Sequence, residues 1–210
     1  MKNKKLKEIV RQGYNKASQA YRTEDQNIEA QNKYLLWADM ATAKLNDNDK
    51  ILDLGCGCGL PFDRYLSKKY RITGVDISEE QIRRAKKYIQ DATFICCDMS
   101  AIDFNESVFD AIVSLYALIH IPIGEQPLLF LKIHKWLKVN GIFLAIVGAV
   151  SWTGYEENWL EVSGVKMYWS HGDFDYYKKL YSKNGFTIIS ETFIPEGKNG
   201  HYLVLATKSV

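Results

Sequence analysis

The sequence predicts an α/β fold: a doubly wound, mostly parallel sheet whose last strand runs antiparallel. Three observations lead there. Short, nearly all-apolar runs alternate with segments of helical periodicity, the first run opens directly into a glycine-rich turn, and the chain closes on two strand-like runs with a short connection. Strands covered on both faces read as continuous apolar runs, and strand–helix alternation implies parallel pairing through right-handed crossovers.

Residues 4–45 are rich in Ala, Lys, Gln and Glu, and Leu35, Leu36, Ala38, Met40 and Leu45 recur at helical spacing, so helices precede the first strand. The first strand is expected over 50–54, and a helix over 60–69 follows its glycine turn. Strands follow at 71–75, 92–97 and 109–116, and a fifth at 141–147. In "SEEQIRRAKKYIQ", Ser78 is an N-cap, acidic residues fill the first turn and basic ones come later, the order a helix dipole favours. Further helices are expected over 125–137 and 174–183. Residues 151–170 break the rhythm with Trp152, Tyr155, Trp159, Tyr168 and Trp169. "GFTIISETFI" and "HYLVLATK" read as a terminal hairpin across "PEGKNG", which reverses the last strand. The organisation expected is one domain over 1–210, with a helical cap at 1–45 and an aromatic-rich insertion at 151–170.

Composition narrows the function. With 27 basic and 25 acidic residues in 210, the net charge of +2 does not suggest a protein built to grip a polyanion, so no nucleic-acid partner is expected. No run approaches the ~18 apolar residues that span a bilayer, and the basic opening "MKNKKLKEIVRQ" lacks the apolar stretch of a secretory signal. A cytoplasmic protein without membrane contact is expected. Cys56, Cys58, Cys96 and Cys97 form C-x-C and C-C pairs, not zinc-knuckle spacings. They are expected to be reduced, mostly buried small residues, with no metal site.

The chemistry gathers at strand ends. "ILDLGCGCG" is strand, then Gly55-x-Gly57-x-Gly59, then helix, an arrangement that lets a ligand approach backbone amides at the carboxyl edge of a parallel sheet. The third glycine of a dinucleotide G-x-G-x-x-G is Leu60 here, which weakens a nicotinamide reading. Asp53 sits in an apolar strand, where a carboxylate needs a cationic or amide partner. Asp76 ends "ITGVD", where an acceptor can take both hydroxyls of a ribose, and "CCDMS" offers Asp98 to an exocyclic amine and Met99 to an adenine face.

In this order, "ILDLGCGCG", "ITGVDIS", "FICCDMS", "FDAIVSLYALIHIP" and "LKVNGIFLAIVG" resemble the class I, Rossmann-like S-adenosylmethionine-dependent methyltransferase family, over residues 30–210. The resemblance implies a seven-stranded sheet with a reversed final strand and S-adenosyl-L-methionine as cofactor. Cys58 stands where the family more often has Thr or Ser, and "VNG" where Pro-Gly is commoner. By the same resemblance Gly55, Cys56 and Gly57 line the methionine end, with Asp53 near its ammonium. Asp76 holds the ribose hydroxyls and Ile77 packs on adenine. Cys97, Asp98 and Met99 border the base, and Leu115 and Tyr116 face the sulfonium. Tyr14 and Tyr21 resemble aromatic residues that close over the cofactor, with ordinary helix packing as the competing role.

Methyl transfer from a sulfonium is an in-line displacement by an already activated donor, so the protein chiefly aligns the nucleophile and excludes water. A base is needed only where the acceptor has a proton to lose. His120 and His171 are the candidates, each against a structural role. The aromatic residues of 151–170 suit a pocket wall, a cage for a cationic acceptor or the core of an insertion. The segment "SLYALIH" lacks the Asn/Asp-Pro-Pro-aromatic sequence of many amino-directed enzymes, and no basic tract or added RNA-binding module is present, which favours a small-molecule acceptor. A protein or RNA methyltransferase, an oxidoreductase and a non-catalytic cofactor-binding protein are the alternatives.

Overall fold

A computed structural model describes residues 2–24, 28–197 and 199–209. Helices α1 (Lys2–Tyr21) and α2 (Ile28–Thr42) lead into β1 (Lys50–Leu54), α3 (Phe62–Leu66), β2 (Arg71–Asp76), α4 (Glu79–Tyr88) and β3 (Thr93–Cys96). Then come β4 (Phe109–Ser114), α5 (Gln126–Trp136), β5 (Leu137–Gly148), β6 (Trp152–Glu157), β7 (Lys166–His171), α6 (Phe174–Lys183), β8 (Phe186–Glu196) and β9 (Asn199–Lys208).

The main sheet has the order β3-β2-β1-β4-β5-β9-β8. β1 to β5 are parallel, and β9 runs antiparallel to both β5 and β8, as the terminal hairpin predicts. Alternate residues of each central strand feed opposite layers. Leu52, Leu54, Ile112, Phe143 and Ala145 join Phe130, Trp136, Tyr177 and Tyr181 of α5 and α6 in one core. Ile51, Ala111, Val113, Ile142 and Leu144 join Trp37 and Ala38 of α2 and Phe62 and Leu66 of α3 in the other. Burial on both faces is why these strands lack polar alternation.

Four expectations need correction. The helix expected over 60–69 is confined to α3, because the chain turns at 67–70, where the Asn48 amide donates to the Lys69 carbonyl (2.8 Å), before entering β2. β5 begins at Leu137 rather than 141: fully buried Leu137 pairs with Phe109 ahead of a register shift, and Asn140 takes a left-handed φ of 63° there. Residues 151–170 contain a separate two-stranded sheet, β6 paired antiparallel with β7. The thiols are free, but only Cys58 is buried; Cys96 is exposed because β3 is an edge strand.

Helix α1 lies on that extra hairpin, burying Val10 and Ala17 against Trp159, Val165, Met167 and Tyr168. Its last carbonyls are capped by a guanidinium from α4. Arg84, 1 % exposed, donates from Nη1 to the Ser18 carbonyl (2.5 Å) and hydroxyl (2.7 Å) and from Nη2 to the Arg22 carbonyl (2.5 Å). The N-cap of α4 forms as expected, with Ser78 Oγ accepting from the Gln81 amide (3.1 Å) and donating to Asn15 on α1 (2.6 Å). Among the described residues no helix is long and apolar enough to cross a membrane.

Arg84→Met removes the guanidinium from these acceptors while keeping side-chain length, and the Ser18 carbonyl keeps only the Arg22 amide (3.2 Å). We expect a loss of about 2–4 kcal/mol in unfolding free energy, read from the urea midpoint, because three charge-assisted bonds are lost and the Arg22 carbonyl loses its guanidinium donor.

Candidate active site

The carboxyl ends of β1, β2, β3 and β4 surround a cleft of about 560 Å³, its open mouth included. At its base, Gly55 (φ 85°) and Gly57 (φ 55°) both take left-handed backbone that disfavours a side chain. They serve different ends. A Cβ on Gly55 would stand 2.1 Å from Ala117 Cβ, so that glycine lets the turn pack against the residues after β4; one on Gly57 would meet no protein atom and would enter the cleft. The turn is tied to β2 by Gly55 and Cys56 amides donating to the Val75 carbonyl (2.7 and 3.1 Å).

Asp76, at the end of β2, binds the turn to α4. Its Oδ2 accepts from the Gly57 amide (2.9 Å) and its Oδ1 from the Ser78 amide (2.8 Å). Burial pushes its carboxyl up to about 6, against those amide bonds. Asp53 is 4 % exposed, its Oδ1 has no hydrogen-bond partner, and burial pushes it up to about 7. The partner expected for Asp53 from the sequence is therefore not supplied by the protein at that oxygen.

Of the other residues named from sequence, Tyr14, Tyr21, Ile77, Asp98, Met99, Leu115, Tyr116 and His120 line the same cleft as Gly55, Gly57 and Asp76. Asp53 and Cys56 line an adjoining pocket with Arg22. Cys97 does not line the cleft; half-buried, it packs on the core with Sγ 3.5 Å from the Asp98 carbonyl. His171 stands outside the cleft: β7 carries it to the Val150 carbonyl (2.8 Å), beside Gly148, where a Cβ would come within 2.3 Å of its ring. Tyr14 and Tyr21 line the cleft and pack at 5.2 Å on each other and at 5.1 and 5.6 Å on Trp159.

Asp98 is held by the protein itself. Its Oδ2 pairs with Lys7 Nζ (2.5 Å), and its Oδ1 accepts from the Ser100 amide (2.9 Å) and hydroxyl (2.8 Å). Lys7 also reaches Glu125 (2.7 Å). Sequence reasoning missed Lys7, as it missed Arg22, because a cation on an N-terminal helix face carries no periodic or motif signal.

His120 is 4 % exposed in a short 3-10 turn, Leu118–His120. The Tyr168 carbonyl, 2.7 Å from Nδ1, can only accept, so Nδ1 carries the proton and the Nε2 lone pair accepts from the Tyr14 hydroxyl (3.0 Å). Burial lowers the imidazole to about 4, so it is neutral at physiological pH. Its ring lies 4.3 Å from that of Trp169.

A glycine turn and two acidic strand ends beneath a parallel sheet's carboxyl edge form the arrangement in which α/β proteins hold nucleotide-type cofactors. Residues 51–141, from the start of β1 into β5, match a family described as Methyltransferase domain. A sterol 24-C-methyltransferase of Candida albicans is 36 % identical over 107 residues, 47 % of this chain and 28 % of that protein. A phosphoethanolamine N-methyltransferase of Plasmodium falciparum is 32 % identical over 110 residues, 50 % of this chain and 41 % of that protein. The chain thus spans less than half the length of these relatives. The fold matches magnesium protoporphyrin IX methyltransferase from Synechocystis, solved with bound SAM, at a TM-score of 0.73 and 18 % identity over 97 % of each chain. It also matches 1,6-didemethyltoxoflavin-N1-methyltransferase from Burkholderia thailandensis, at 0.72 and 20 % over 99 % of this chain and 91 % of that one.

Between about pH 4 and 6 the native chain keeps a proton on Asp76 that the unfolded chain has lost, so this group makes stability fall as pH rises through that window. Asp76→Asn removes the burial penalty. We expect its stability relative to the parent to improve by about 2–3 kcal/mol on going from pH 4 to pH 7, measured by urea titration at each pH.

Proposed function

We propose that this protein transfers a methyl group from S-adenosylmethionine to a small-molecule acceptor. The observation that carries the reading is the union, in one cleft, of the open Gly57 position, the buried Asp76 carboxylate and the unpartnered Asp53 oxygen next door. A buried carboxylate oxygen without a hydrogen-bond partner is costly, and a ligand ammonium is the kind of group that relieves it. Asp53 would hold that ammonium, Asp76 the ribose hydroxyls, and Ile77 and Met99 the adenine faces. Asp98 would meet the base's amine with the acceptor capacity left beside Lys7 and Ser100.

When bound, this cofactor supplies a methyl group on a cationic sulfur, already activated for displacement. What remains for the chain is alignment, exclusion of water and proton handling. Leu115, Tyr116 and Ala117 line the cleft from the end of β4, while Tyr14 and Tyr21 of α1 close over it. Neutral His120, its Nε2 lone pair on the Tyr14 hydroxyl, is suited to take a proton from an acceptor hydroxyl or amine through Tyr14. The second candidate histidine, His171, lies outside this arrangement, against a neighbouring cavity, and takes no step in the reaction. We place the protein in the cytoplasm, in keeping with its four free thiols.

Calorimetry with S-adenosylhomocysteine tests the reading directly: binding is expected, and its absence alongside tight binding of NAD would replace the proposal with an oxidoreductase. Asp76→Ala should weaken S-adenosylhomocysteine binding by about 1–3 kcal/mol. His120→Ala should slow turnover far more than it weakens that binding, and the parent's turnover should show no His120 inflection between pH 5 and 8 because the imidazole titrates near 4.

A further inference from the structure

Beyond Tyr116 lies a second, open cavity of about 600 Å³. Tyr14, Tyr21, Tyr116 and His120 line both spaces, so the two meet at these four side chains. Tyr34, Trp159 and Trp169 supply aromatic wall to the outer cavity, and Glu196, at the end of β8, supplies a carboxylate.

Glu196 is built into its position. Its Oε1 accepts from the Tyr116 hydroxyl (2.6 Å) and its Oε2 from His201 Nδ1 (3.1 Å). Against the cost of burial, those two bonds hold the carboxyl below its usual range. Gly200 makes the tight β8–β9 hairpin possible, since a Cβ there would stand 2.3 Å from the Ile194 carbonyl. Tyr116 reaches Glu196 from a left-handed backbone (φ 57°), a conformation that costs a side-chain-bearing residue energy and is held here at the junction of the two cavities. Each Glu196 oxygen keeps a second acceptor position, and the side chain remains 43 % exposed.

The cavity also contains Arg22, but that cation is engaged by the protein. Nη1 donates to the Leu60 carbonyl (3.0 Å), Nη2 to the Tyr34 hydroxyl (2.8 Å), and the guanidinium lies 4.3 Å from the Tyr34 ring centroid. Lys33, whose charge also acts on Glu196, sits over the Trp37 ring at 4.8 Å. The carboxylate is therefore the charged group with acceptor capacity to spare, among aromatic faces that also favour a cation.

We propose that this outer cavity is the acceptor site and that it selects molecules carrying a protonated amine, anchored on Glu196, with the atom to be methylated toward Tyr116 and His120. The proposal rests on the methyl-transfer reading above. A neutral molecule gains the aromatic contact without the charge-assisted bond, and an anion is repelled by Glu196.

The test is calorimetry on the full chain saturated with S-adenosylhomocysteine, using 3-phenylpropylamine, 3-phenylpropanol and 3-phenylpropionate as probes. The amine should bind about tenfold more tightly than the alcohol, with the carboxylate weakest. E196Q should erase the amine's advantage while keeping S-adenosylhomocysteine binding, and W169L should weaken the amine more than the alcohol. Equal binding of the three, a preference for the carboxylate, no binding of any, or an amine preference that survives in E196Q would each overturn the assignment. If E196Q does not fold, the ranking on the parent protein and W169L decides. Failure of S-adenosylhomocysteine itself to bind is a separate result that removes the methyl-transfer reading and this proposal with it.

Discussion

The site depends on one buried carboxylate. Asp76 joins the Gly57 amide, in the turn after β1, to the Ser78 amide, at the start of α4. Those bonds set the glycine turn and the helix N-terminus at a fixed separation, and Gly57, Asp76 and Ile77 line the cleft from this junction. Burial raises the carboxyl to about 6 and so works against the ionised form that makes the strongest bonds. The fold retains an electrostatic cost at the point where a ligand's hydroxyls can share it.

The same helix start anchors the roof. Ser78 reaches Asn15, Ser18 donates to Gln81 (2.9 Å), and Arg84 caps the end of α1 from the next turn of α4. α1 is thereby held across the cleft, with its opposite side buried on the β6–β7 hairpin. The hairpin also supplies the carbonyl of Tyr168 that orients His120. Closure over the cleft and the protonation state of its histidine are thus consequences of a single docking arrangement, in which water exclusion lowers the imidazole and the carbonyl selects its tautomer.

A second buried carboxyl, Asp63 on α3, lies next to Asp53 and is pushed well above its ordinary value by burial, then by its neighbour's charge. Two carboxyls in one dry pocket cannot both ionise cheaply, so the pair holds a proton between them near neutral pH. Arg22 acts on Asp53 from across the adjoining pocket and favours its charged form. The asymmetry leaves Asp53 as the more readily ionised member of the pair.

By itself the sequence determined the order of the main sheet's strands and the helices between them, the reversed last strand and most of the residues that line the cleft. These signals are local: β1, β2, β4 and α6 declare themselves within a few residues, and Asp53, Gly55, Gly57, Asp76 and Met99 sit at fixed offsets from strand ends. Tertiary structure decided what local pattern does not encode. Tyr14 meets His120 across 106 residues, Tyr116 meets Glu196 across 80, and Lys7 meets Asp98 through the docking of α1. His120 and His171 both belong to aromatic-flanked, mostly apolar segments, yet one lines the cleft and the other faces a neighbouring cavity with Trp152 and His201. The difference lies in where β7 and the turn after β4 pack, because side-chain chemistry at a site is set by long-range neighbours while secondary structure is set largely by near ones.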